Sequence, residues 1–499
     1  MQKTGRLELT WVGKYEEKEI EPRILIEDKG KSYGDPENEN MLIHGDNLIA
    51  LKALESEYQN SIKCIFIDPP YNTGNAFDKY DDGIEHSIWL DLMYRRYILL
   101  HSLLKQDGVL FVSLDEQEHA YSKVLLDAVF GRENYIGDII WQKRKGGGND
   151  SRFIALDHDY ILVYAKDASK EQHPKQWLTS QSEKYLKRYK EIDENGNRYY
   201  WDTVARNGLQ SPIPVSIKCP DGTILSINSQ MGQQTVEEGL KTGMVRLTKS
   251  KNGWTLHHRV YMKEGQVQRS ILNDVGTNKD AADEMEYLFG DKKAFPYPKP
   301  ESLIARLLEL ATDPGDLVLD SFLGSGTTAA VAHKMNRKWI GIELGDHAYS
   351  HCKPRLDRVI DGKDDGGITG LLGWQGGGGY HFYELAPSLF VKNKKLPIYQ
   401  INPDYTFEML CEAICKIEGF KYKPVDVFHG HSSERRFIHV TKEFVNVSYL
   451  KSIASHLDIG QSLLVYGLSI QSDINLPDNI EVKKIPKDLL EKCDFECEV

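Results

Sequence analysis

The residue run CIFIDPPYNTG, at positions 64–74, places an acid, two prolines and a tyrosine directly after a stretch of apolar side chains. The apolar part is typical of a buried strand, and Pro69 and Pro70 end it because each proline fixes φ and lacks an N–H donor. At such a rigid turn, Asp68 and the carbonyl of Pro69 can accept hydrogen bonds from one amino group, while Tyr71 offers a flat ring. These four residues therefore indicate a catalytic site for a planar base with an exocyclic amine.

A glycine-containing loop is the second candidate for chemistry. In the run DLVLDSFLGSGTTAAVAHKMNRKWIGIEL a strand leads into a Gly-Ser-Gly turn, a helix follows, and Glu343 ends the next strand 17 residues beyond Gly326. Glycines let the backbone approach a ligand and the acid accepts hydrogen bonds from ribose hydroxyls, so the spacing indicates a nucleotide-type site. A dinucleotide dehydrogenase fits the same spacing, and so does a tight turn without a ligand. The residues expected to line the loop are Asp320, Phe322, Gly324, Ser325, Gly326 and Thr327.

Alternating strand and helix patterns position both candidates. The alternation begins at Met41, breaks down near Lys166, and resumes from Pro300 to Ile360. Such a pattern builds a mostly parallel sheet covered by helices, so the predicted fold class is α/β, a Rossmann-like doubly wound sheet. Open sheets of this kind bind ligands at the carboxyl ends of their strands, at a topological switch point. We therefore expect Asp68 and Gly324 to meet at one edge of the sheet.

Four segments divide the chain. Residues 1–165 hold the half of the α/β core that carries the turn at Asp68–Tyr71, which we call the elbow. Residues 291–386 hold the half with the glycine loop. Between them, residues 166–290 are polar and rich in glycine and charge, which indicates an inserted module. A glycine-rich connector leads to residues 387–499, whose patterns predict a small separate α/β module.

Composition excludes several classes of protein. Hydrophobic residues make up 40% and charged residues 27% of the 499, which is ordinary for a globular protein. No stretch approaches the roughly 18 apolar residues that a membrane span needs, and no signal peptide is apparent, so a cytoplasmic location is expected. The seven cysteines do not resemble a disulfide framework. A zinc site from Cys411, Cys415, Cys493 and Cys497 is disfavoured because the first pair lies in a helical pattern, and no metal is expected.

The charge balance does not favour nucleic acid as a whole. The formal net charge is -12, so any contact with DNA phosphates must be local. One basic cluster surrounds the loop KRKGGGNDSR, and a solvated surface is the alternative interpretation of such a run. The residues of this cluster predicted to contact DNA are Lys143, Arg144, Lys145 and Arg152.

The motifs DPPY and DSFLGSGTT resemble those of the amino-group DNA methyltransferases, and their order is similar to that of the β class, a class I methyltransferase fold with circularly permuted motifs. Further stretches, among them MLIHGDNLIALKAL, LFVSLDEQE, HDYILVYAK and FPYPKPESLIARLLELAT, resemble type III restriction-modification Mod subunits. The resemblance covers nearly the whole chain except residues 166–271. It implies S-adenosylmethionine as the cofactor and double-stranded DNA as the substrate.

The resemblance also implies roles for individual residues. Asp46 corresponds to an acid that contacts the cofactor's adenine, although a helix N-cap is an equal alternative. Lys299 is implied to pair with the carboxylate of the cofactor, and Thr327 lines the loop unless it serves as a helix cap. Asp68 would hold the amino group of a base flipped out of the duplex, and an aspartate here is associated with adenine N6.

The same resemblance assigns the insertion to target recognition. Arg206, Gln210 and Gln230 are side chains of types that read base edges. A homodimer and a restriction (Res) subunit are the implied partners. The function predicted is a site-specific DNA adenine N6-methyltransferase. The alternatives are a cytosine N4-methyltransferase, a nicotinamide-dependent dehydrogenase, and a DNA-binding protein with an inactive methyltransferase fold.

Overall fold

The structure is a computed structural model. It describes residues 9–11, 14–15, 20–71, 86–146, 153–170, 177–179, 183–205, 208, 211–251, 253–263, 265–393, 395–493 and 495. Two compact units are present, one formed by Met1–Gln176 with Arg269–Val499 and the other by Trp177–Gln268. Four residues singled out above lie outside the described residues: Arg152, Arg206, Gln210 and Cys497.

The N-terminal part of the first unit alternates strands with helices. The helix α1 begins where Asp46 accepts hydrogen bonds from the backbone N–H groups of Leu48 and Ile49. The elements are β1 (Leu25–Glu27), β2 (Tyr33–Gly34), β3 (Met41–His44), α1 (Asn47–Tyr58), β4 (Ile62–Ile67), α2 (His86–Leu103), β5 (Leu104–Leu114), α3 (His119–Phe130), β6 (Tyr135–Gln142) and β7 (His158–Ala165).

The second unit is built from short strands and hairpins. Its core contains Val204, Val215, Val236, Val245 and Leu256. The elements are β8 (Leu178–Thr179), α4 (Glu183–Leu186), β9 (Glu191–Ile192), β10 (Arg198–Thr203), β11 (Ile213–Lys218), β12 (Ile224–Ser229), α5 (Gln233–Thr242), β13 (Val245–Ser250), β14 (Gly253–Tyr261) and β15 (Gln266–Val267). The predicted limits of the inserted module, 166–290, are wider than this compact unit.

The first unit resumes at Arg269. Its helix α9 follows a π-helical turn at Ala348–Cys352 and carries Pro354 in its first turn, where a missing N–H is tolerated. The elements are β16 (Ile271–Leu272), α6 (Asn278–Phe289), α7 (Glu301–Ala311), β17 (Leu317–Asp320), α8 (Thr327–Lys334), β18 (Lys338–Glu343), α9 (Lys353–Ile360), α10 (Thr369–Leu372) and β19 (Gly379–Leu385).

A single sheet crosses the first unit in the order β1-β19-β3-β18-β17-β4-β5-β7-β6-β16, with β2 paired to β19. The six strands from β19 to β5 run parallel to one another, while β1 and β2 are antiparallel to β19 and β7 is antiparallel to β5 and β6. Strand β4 is buried along its whole length, which agrees with its continuous apolar sequence. The predicted α/β class with a mostly parallel sheet is confirmed.

The strands β4 and β17 are direct neighbours and run parallel, with Cys64 opposite Val318 and Ile65 opposite Leu319. From β4 the chain continues to β5 on one side, and from β17 it continues to β18 on the other side. The strand order therefore reverses between β4 and β17, which makes this the topological switch point. Because carboxyl ends of parallel strands share one edge, Asp68 and the glycine loop emerge side by side, as the sequence predicted.

The C-terminal residues form a smaller α/β arrangement with its own five-stranded sheet, in the order β22-β23-β24-β25-β26. Cys411, Cys415 and Cys493 lie in its apolar core as free thiols. The elements are β20 (Phe390–Lys392), β21 (Tyr399–Ile401), α11 (Phe407–Ile417), β22 (Lys421–Val425), β23 (Phe428–Ser433), β24 (Arg436–Val445), α12 (Val447–Ala454), β25 (Ser462–Ile470), β26 (Ile480–Lys484) and α13 (Lys487–Leu490). Among the described residues, none of the helices has the length and apolar content to cross a membrane.

Candidate active site

Asp68 stands immediately after β4, and both of its carboxylate oxygens accept hydrogen bonds. Lys299 Nζ donates to Oδ2 at 2.5 Å, and the Tyr71 hydroxyl donates to Oδ1 at 2.8 Å. The Asp68 side chain is 23% exposed, so a ligand can reach it from solvent. A carboxylate has about four acceptor positions, which leaves room for a further donor beside these two.

The elbow itself is fixed by contacts on both sides. Pro69 is buried, and the Trp89 indole Nε1 donates to the carbonyl of Pro70 at 2.8 Å. The Tyr71 hydroxyl also shares a 2.9 Å hydrogen bond with Ser113 Oγ, at the end of the next strand. Burial, and then the nearby Asp68 charge, hold the pKa of Tyr71 well above its usual range. The tyrosine is therefore a neutral donor to the carboxylate as well as the flat ring that the sequence predicted.

Two further acids stand at the same edge of the sheet. Asp115 follows β5, and burial raises its pKa to about 6. Asp159 lies at the start of β7, where burial raises its pKa and Lys143 Nζ donates to its Oδ1 at 2.6 Å. Lys143 was predicted to contact DNA phosphates, and the structure places it in an ion pair beside the elbow. Asp115 had a sequence signal, an acid directly after a buried strand, while Asp159 had none.

The glycine loop approaches its neighbours too closely for larger residues. Gly324 has φ +57°, and an added Cβ would lie 3.0 Å from the ring of Phe295. Gly326 has φ +81° and an added Cβ there would meet the backbone of Cys352 at 3.2 Å. The left-handed backbone therefore favours glycine at both positions, and a side chain at either one would also crowd its neighbour.

Glu343 fixes the loop from the end of the neighbouring strand. Its two carboxylate oxygens accept from the backbone N–H groups of Gly324 and Gly345, each at 2.8 Å. The predicted interaction of Glu343 with ribose hydroxyls stays a prediction. The observed contacts show that this acid shapes the glycine turn.

Asp320, the last residue of β17, is buried and accepts from the Phe322 backbone N–H at 2.9 Å. Burial raises its pKa to about 7, and the charges of Asp68 and Glu343 add to this effect. The carboxylates of the elbow and of the loop are thus close enough to repel one another. A ligand with positive charge would relieve this repulsion, which fits the sulfonium and amine of S-adenosylmethionine.

Asp46 serves as the N-cap of α1, with Oδ1 accepting from two backbone N–H groups. Its second oxygen, Oδ2, accepts from the buried Arg96 at 3.3 Å. Arg96 also donates to Asn47 at 2.5 Å, and Asn47 in turn donates to the carbonyl of Ser321 at 2.6 Å. The cap interpretation describes the observed contacts, and contact with a cofactor stays a prediction.

Thr327 is the first residue of α8, and its hydroxyl is not a cap for that helix. It accepts from Arg355 Nη1 at 2.8 Å and shares a 3.0 Å hydrogen bond with Ser325 Oγ. Arg355 also lies 3.4 Å from the Ser325 carbonyl and is fully buried. No local sequence signal pointed to Arg355, because it lies on α9 and reaches the loop only through the tertiary fold.

A buried ionic cluster lies behind this arginine. Glu301, at the start of α7, accepts from Arg355 Nη2 at 2.8 Å and from Lys334 Nζ at 2.9 and 2.8 Å. Lys334 also pairs with Asp364 at 2.8 Å, and Glu284 accepts from the Glu301 backbone N–H at 3.2 Å. Burial, and then the charge of Glu301, raise the pKa of Glu284 to about 8. The glycine loop is therefore supported by charges that solvent does not reach.

Phe322, Arg144 and Lys145 are the remaining predicted site residues. Phe322 is buried in the main apolar core, and Arg144 and Lys145 are exposed after β6. Trp141 Nε1 donates to the Gly276 carbonyl at 2.9 Å, which fixes the chain just before α6.

Comparison with known proteins agrees with this arrangement. A family model described as DNA methylase (N6_N4_Mtase) matches residues 62–353. The HindVI Mod subunit of Haemophilus influenzae is 32% identical over 77% of this chain and 58% of its own length. The type III restriction-modification enzyme StyLTI Mod subunit of Salmonella typhimurium is 30% identical over 64% of this chain and 52% of its own length. The chain thus spans just over half the length of these two relatives.

Among solved structures, TTHA0409 from Thermus thermophilus aligns with 69% of this chain and 99% of its own, at 16% identity and a TM-score of 0.36. The family match covers more than half of the chain and includes both the elbow at Asp68 and the glycine loop. This chain belongs to the DNA methylase family.

Proposed function

We propose that this chain is a site-specific DNA adenine N6-methyltransferase that uses S-adenosylmethionine and acts as the Mod-type subunit of a type III restriction-modification system. The observation that carries the proposal is the juxtaposition of the Asp68 elbow after β4 with the glycine loop after β17, on neighbouring parallel strands. The elbow is suited to hold an amine, and the glycine loop is suited to hold a nucleotide-like ligand. A dehydrogenase would not account for Asp68, Pro69, Pro70 and Tyr71.

The elbow residues would act on the amino group of the base. Its lone pair is delocalised into the ring, so the N–H bonds must be held by acceptors that turn the nitrogen toward the methyl donor. Asp68 and the Pro69 carbonyl are the acceptors in this proposal, and they stabilise positive charge as it develops on the nitrogen. The Tyr71 ring would stack on the flipped base, which contributes about 1–3 kcal/mol.

S-adenosylmethionine, when bound, supplies an electrophilic methyl group on a positively charged sulfur. The residues proposed to hold it are Asp46, Lys299, Asp320, Phe322, Gly324, Ser325, Gly326, Thr327 and Glu343. Asp320 and Glu343 supply acceptors at the strand ends, and the two glycines admit the ligand to the backbone. Lys299, which pairs with Asp68 in the structure, would bring a positive charge between the two subsites.

The partners proposed are double-stranded DNA, a second copy of this chain and a restriction (Res) subunit. The relatives named Mod subunits support the third, and the exposed Arg144 and Lys145 beside the elbow support contact with phosphates. The inserted module, predicted at 166–290, would read the target sequence. A cytoplasmic location belongs to the same proposal, since the enzyme must reach cellular DNA.

Sequencing of DNA from cells with and without the expressed gene tests the proposal directly. Modified adenines in one sequence context, absent without the gene, are the expected result. Modified cytosines in a fixed context would replace the adenine assignment with cytosine N4. If purified protein transfers no methyl group to any duplex and binds no S-adenosylmethionine, the proposed activity is wrong.

The affinity for S-adenosylmethionine is expected to rise with pH between about 6 and 8. Asp320 has a pKa of about 7 in the free protein, and a cationic ligand favours its ionised form. Below that pKa, binding must displace a proton, which weakens affinity by up to about tenfold per pH unit. Calorimetric titration at pH 6, 7 and 8 measures the slope.

Asp320→Asn is the matched control for this pH dependence, because the amide oxygen can still accept from the Phe322 backbone N–H. Ionisation of the ligand itself affects both proteins equally. A smaller slope in the variant supports the assignment to Asp320, and equal slopes contradict it.

A further inference from the structure

The inserted unit differs in charge from the rest of the chain. Residues 177–268 contain thirteen Lys and Arg residues against nine Asp and Glu residues, whereas the whole chain has a net charge of -12. The unit is therefore a basic body on an acidic protein. Its surface is where local attraction to a polyanion is expected.

One sheet in this unit has two chemically different faces. Strands β10, β14 and β13 pair antiparallel, with Trp201 opposite Arg259 and Arg246 opposite His257. Opposite residues in such pairs share a face, and residues two apart along a strand share it too. One face therefore carries Tyr199, Trp201, Arg246, His257, Arg259 and Tyr261.

The other face of this sheet is occupied by the core of the unit. Val245 and Leu256 pack there with Val236 of α5. An added Cβ at Gly239 of α5 would lie 2.5 Å from Val245, which shows how closely the helix covers that face. The face with the aromatic and arginine side chains is thus the one turned away from the core.

The arginines on this face lie against aromatic rings. The Arg246 guanidinium carbon is 4.1 Å from the Trp201 ring centroid, and the Arg259 carbon is 4.6 Å from that of Tyr199. The Tyr199 and Trp201 rings meet edge to face at 5.6 Å. Stacking fixes the plane of each guanidinium while leaving its edge able to donate hydrogen bonds. A planar, pre-oriented donor fork is suited to phosphate oxygens and to the major-groove edge of guanine.

We propose that this face, the aromatic–arginine face of Trp201, Arg246, Arg259 and Tyr261, is the surface of the inserted unit that binds the target duplex. Tyr199 is buried and packs against Arg259, so it supports the face without forming its surface. The inference rests on the proposed function for its substrate, double-stranded DNA. Arg246 is the exposed arginine of the face and contacts the duplex directly. Arg259 supports Trp201 from the facing strand and supplies a second charge.

The test compares full-length variants in binding to duplex DNA that contains the methylated context, measured by fluorescence anisotropy. Arg246→Ala and Arg259→Ala are each expected to weaken binding at least about fivefold and to lower the salt dependence. The control is Lys241→Ala, which removes an equal charge from exposed α5, on the core side of the same sheet. That variant is expected to change affinity by about twofold or less.

Arg246→Lys adds a measurement, the preference for the target context over random duplex, that a purely structural role of Arg246 would leave unchanged. It keeps the charge but loses the planar fork, so binding to random duplex should persist while preference for the target context falls. Affinity for S-adenosylmethionine, measured in parallel, should be unchanged in every variant. Equal binding by Arg246→Ala and Lys241→Ala, whether both weakened or both unaffected, overturns the proposal. Wild-type protein that binds random duplex DNA but transfers no methyl group would contradict the proposed function; the comparison of Arg246→Ala with Lys241→Ala is then made on that random duplex and still tests this face.

Discussion

Replacement of Asp68 by alanine is expected to lower the rate of methyl transfer by about 10²- to 10³-fold, while binding of S-adenosylmethionine is retained. The alanine removes the acceptor that would orient and stabilise the target amine. The glycine loop is held by Glu343 and Arg355, neither of which depends on Asp68 in the structure. Single-turnover transfer of labelled methyl to duplex DNA and calorimetric titration of the cofactor measure the two effects separately.

The ion pair with Lys299 requires a control for this experiment. Lys299 is 8% exposed, so Asp68→Ala leaves a nearly buried charge without the carboxylate that neutralises it. Asp68→Asn retains an oxygen that can accept from Lys299 and keeps the side-chain volume, and the nearby Asp159 carboxylate still attracts the Lys299 charge. We expect Asp68→Asn to fold like the wild type and still to lose most of its activity. Full activity in Asp68→Asn would contradict the role of the carboxylate as the acceptor that matters.

The parts of the site that the sequence predicted are those carried by local patterns. An apolar run before Asp68 and another before Asp320 predicted two buried strands, and the strand order then placed both carboxyl ends at one edge. The family resemblance drawn from these motifs is confirmed by the family match. Local chemistry was sufficient because proline, glycine and strand-terminal acids act on the residues next to them.

The parts that the sequence did not predict are contacts between distant segments. Lys299 was expected to meet the cofactor's carboxylate, and its observed partner is Asp68, 231 positions away. Arg355 reaches the loop from α9, and β19 joins the central sheet although a glycine-rich connector precedes it. A single positive charge on a helix has no periodic signal that identifies its partner. Such pairs are determined by the tertiary packing of elements whose local sequences are compatible with many neighbours.

The ionic cluster behind the glycine loop leads to the second large effect. Glu301→Gln is expected to destabilise the protein by about 3–5 kcal/mol, because fully buried Lys334 and Arg355 would lose a shared counter-charge. Glu301 accepts from both of them and from the Ile368 backbone N–H at 3.1 Å. Thermal unfolding at pH 7, followed by tryptophan fluorescence, measures the loss.

Glu284→Gln is the matched control, since it makes the same chemical change in the same cluster. The pKa of Glu284 is about 8, so this acid is mostly protonated at pH 7 and glutamine closely resembles its folded form. The variant should therefore cost less than about 1 kcal/mol. Glu301 begins α7 and Glu284 accepts from its backbone N–H, yet the two glutamates are expected to respond very differently to the same substitution, according to which of them carries the charge.

The pH dependence separates these roles further. The folded pKa of Glu284 lies above its usual value of 4.5, so the stability linked to its proton is complete below about pH 4.5 and is lost as pH rises through 8. The wild type should therefore lose stability between pH 7 and 9, and Glu284→Gln should lose less over that range. In Glu301→Gln the repulsion that helps to raise this pKa is absent, so the slope should also be smaller. A Glu301→Gln variant as stable as the wild type at pH 7 would show that Asp364 and Glu284 suffice to neutralise the cluster, and that Glu301 does not hold it together.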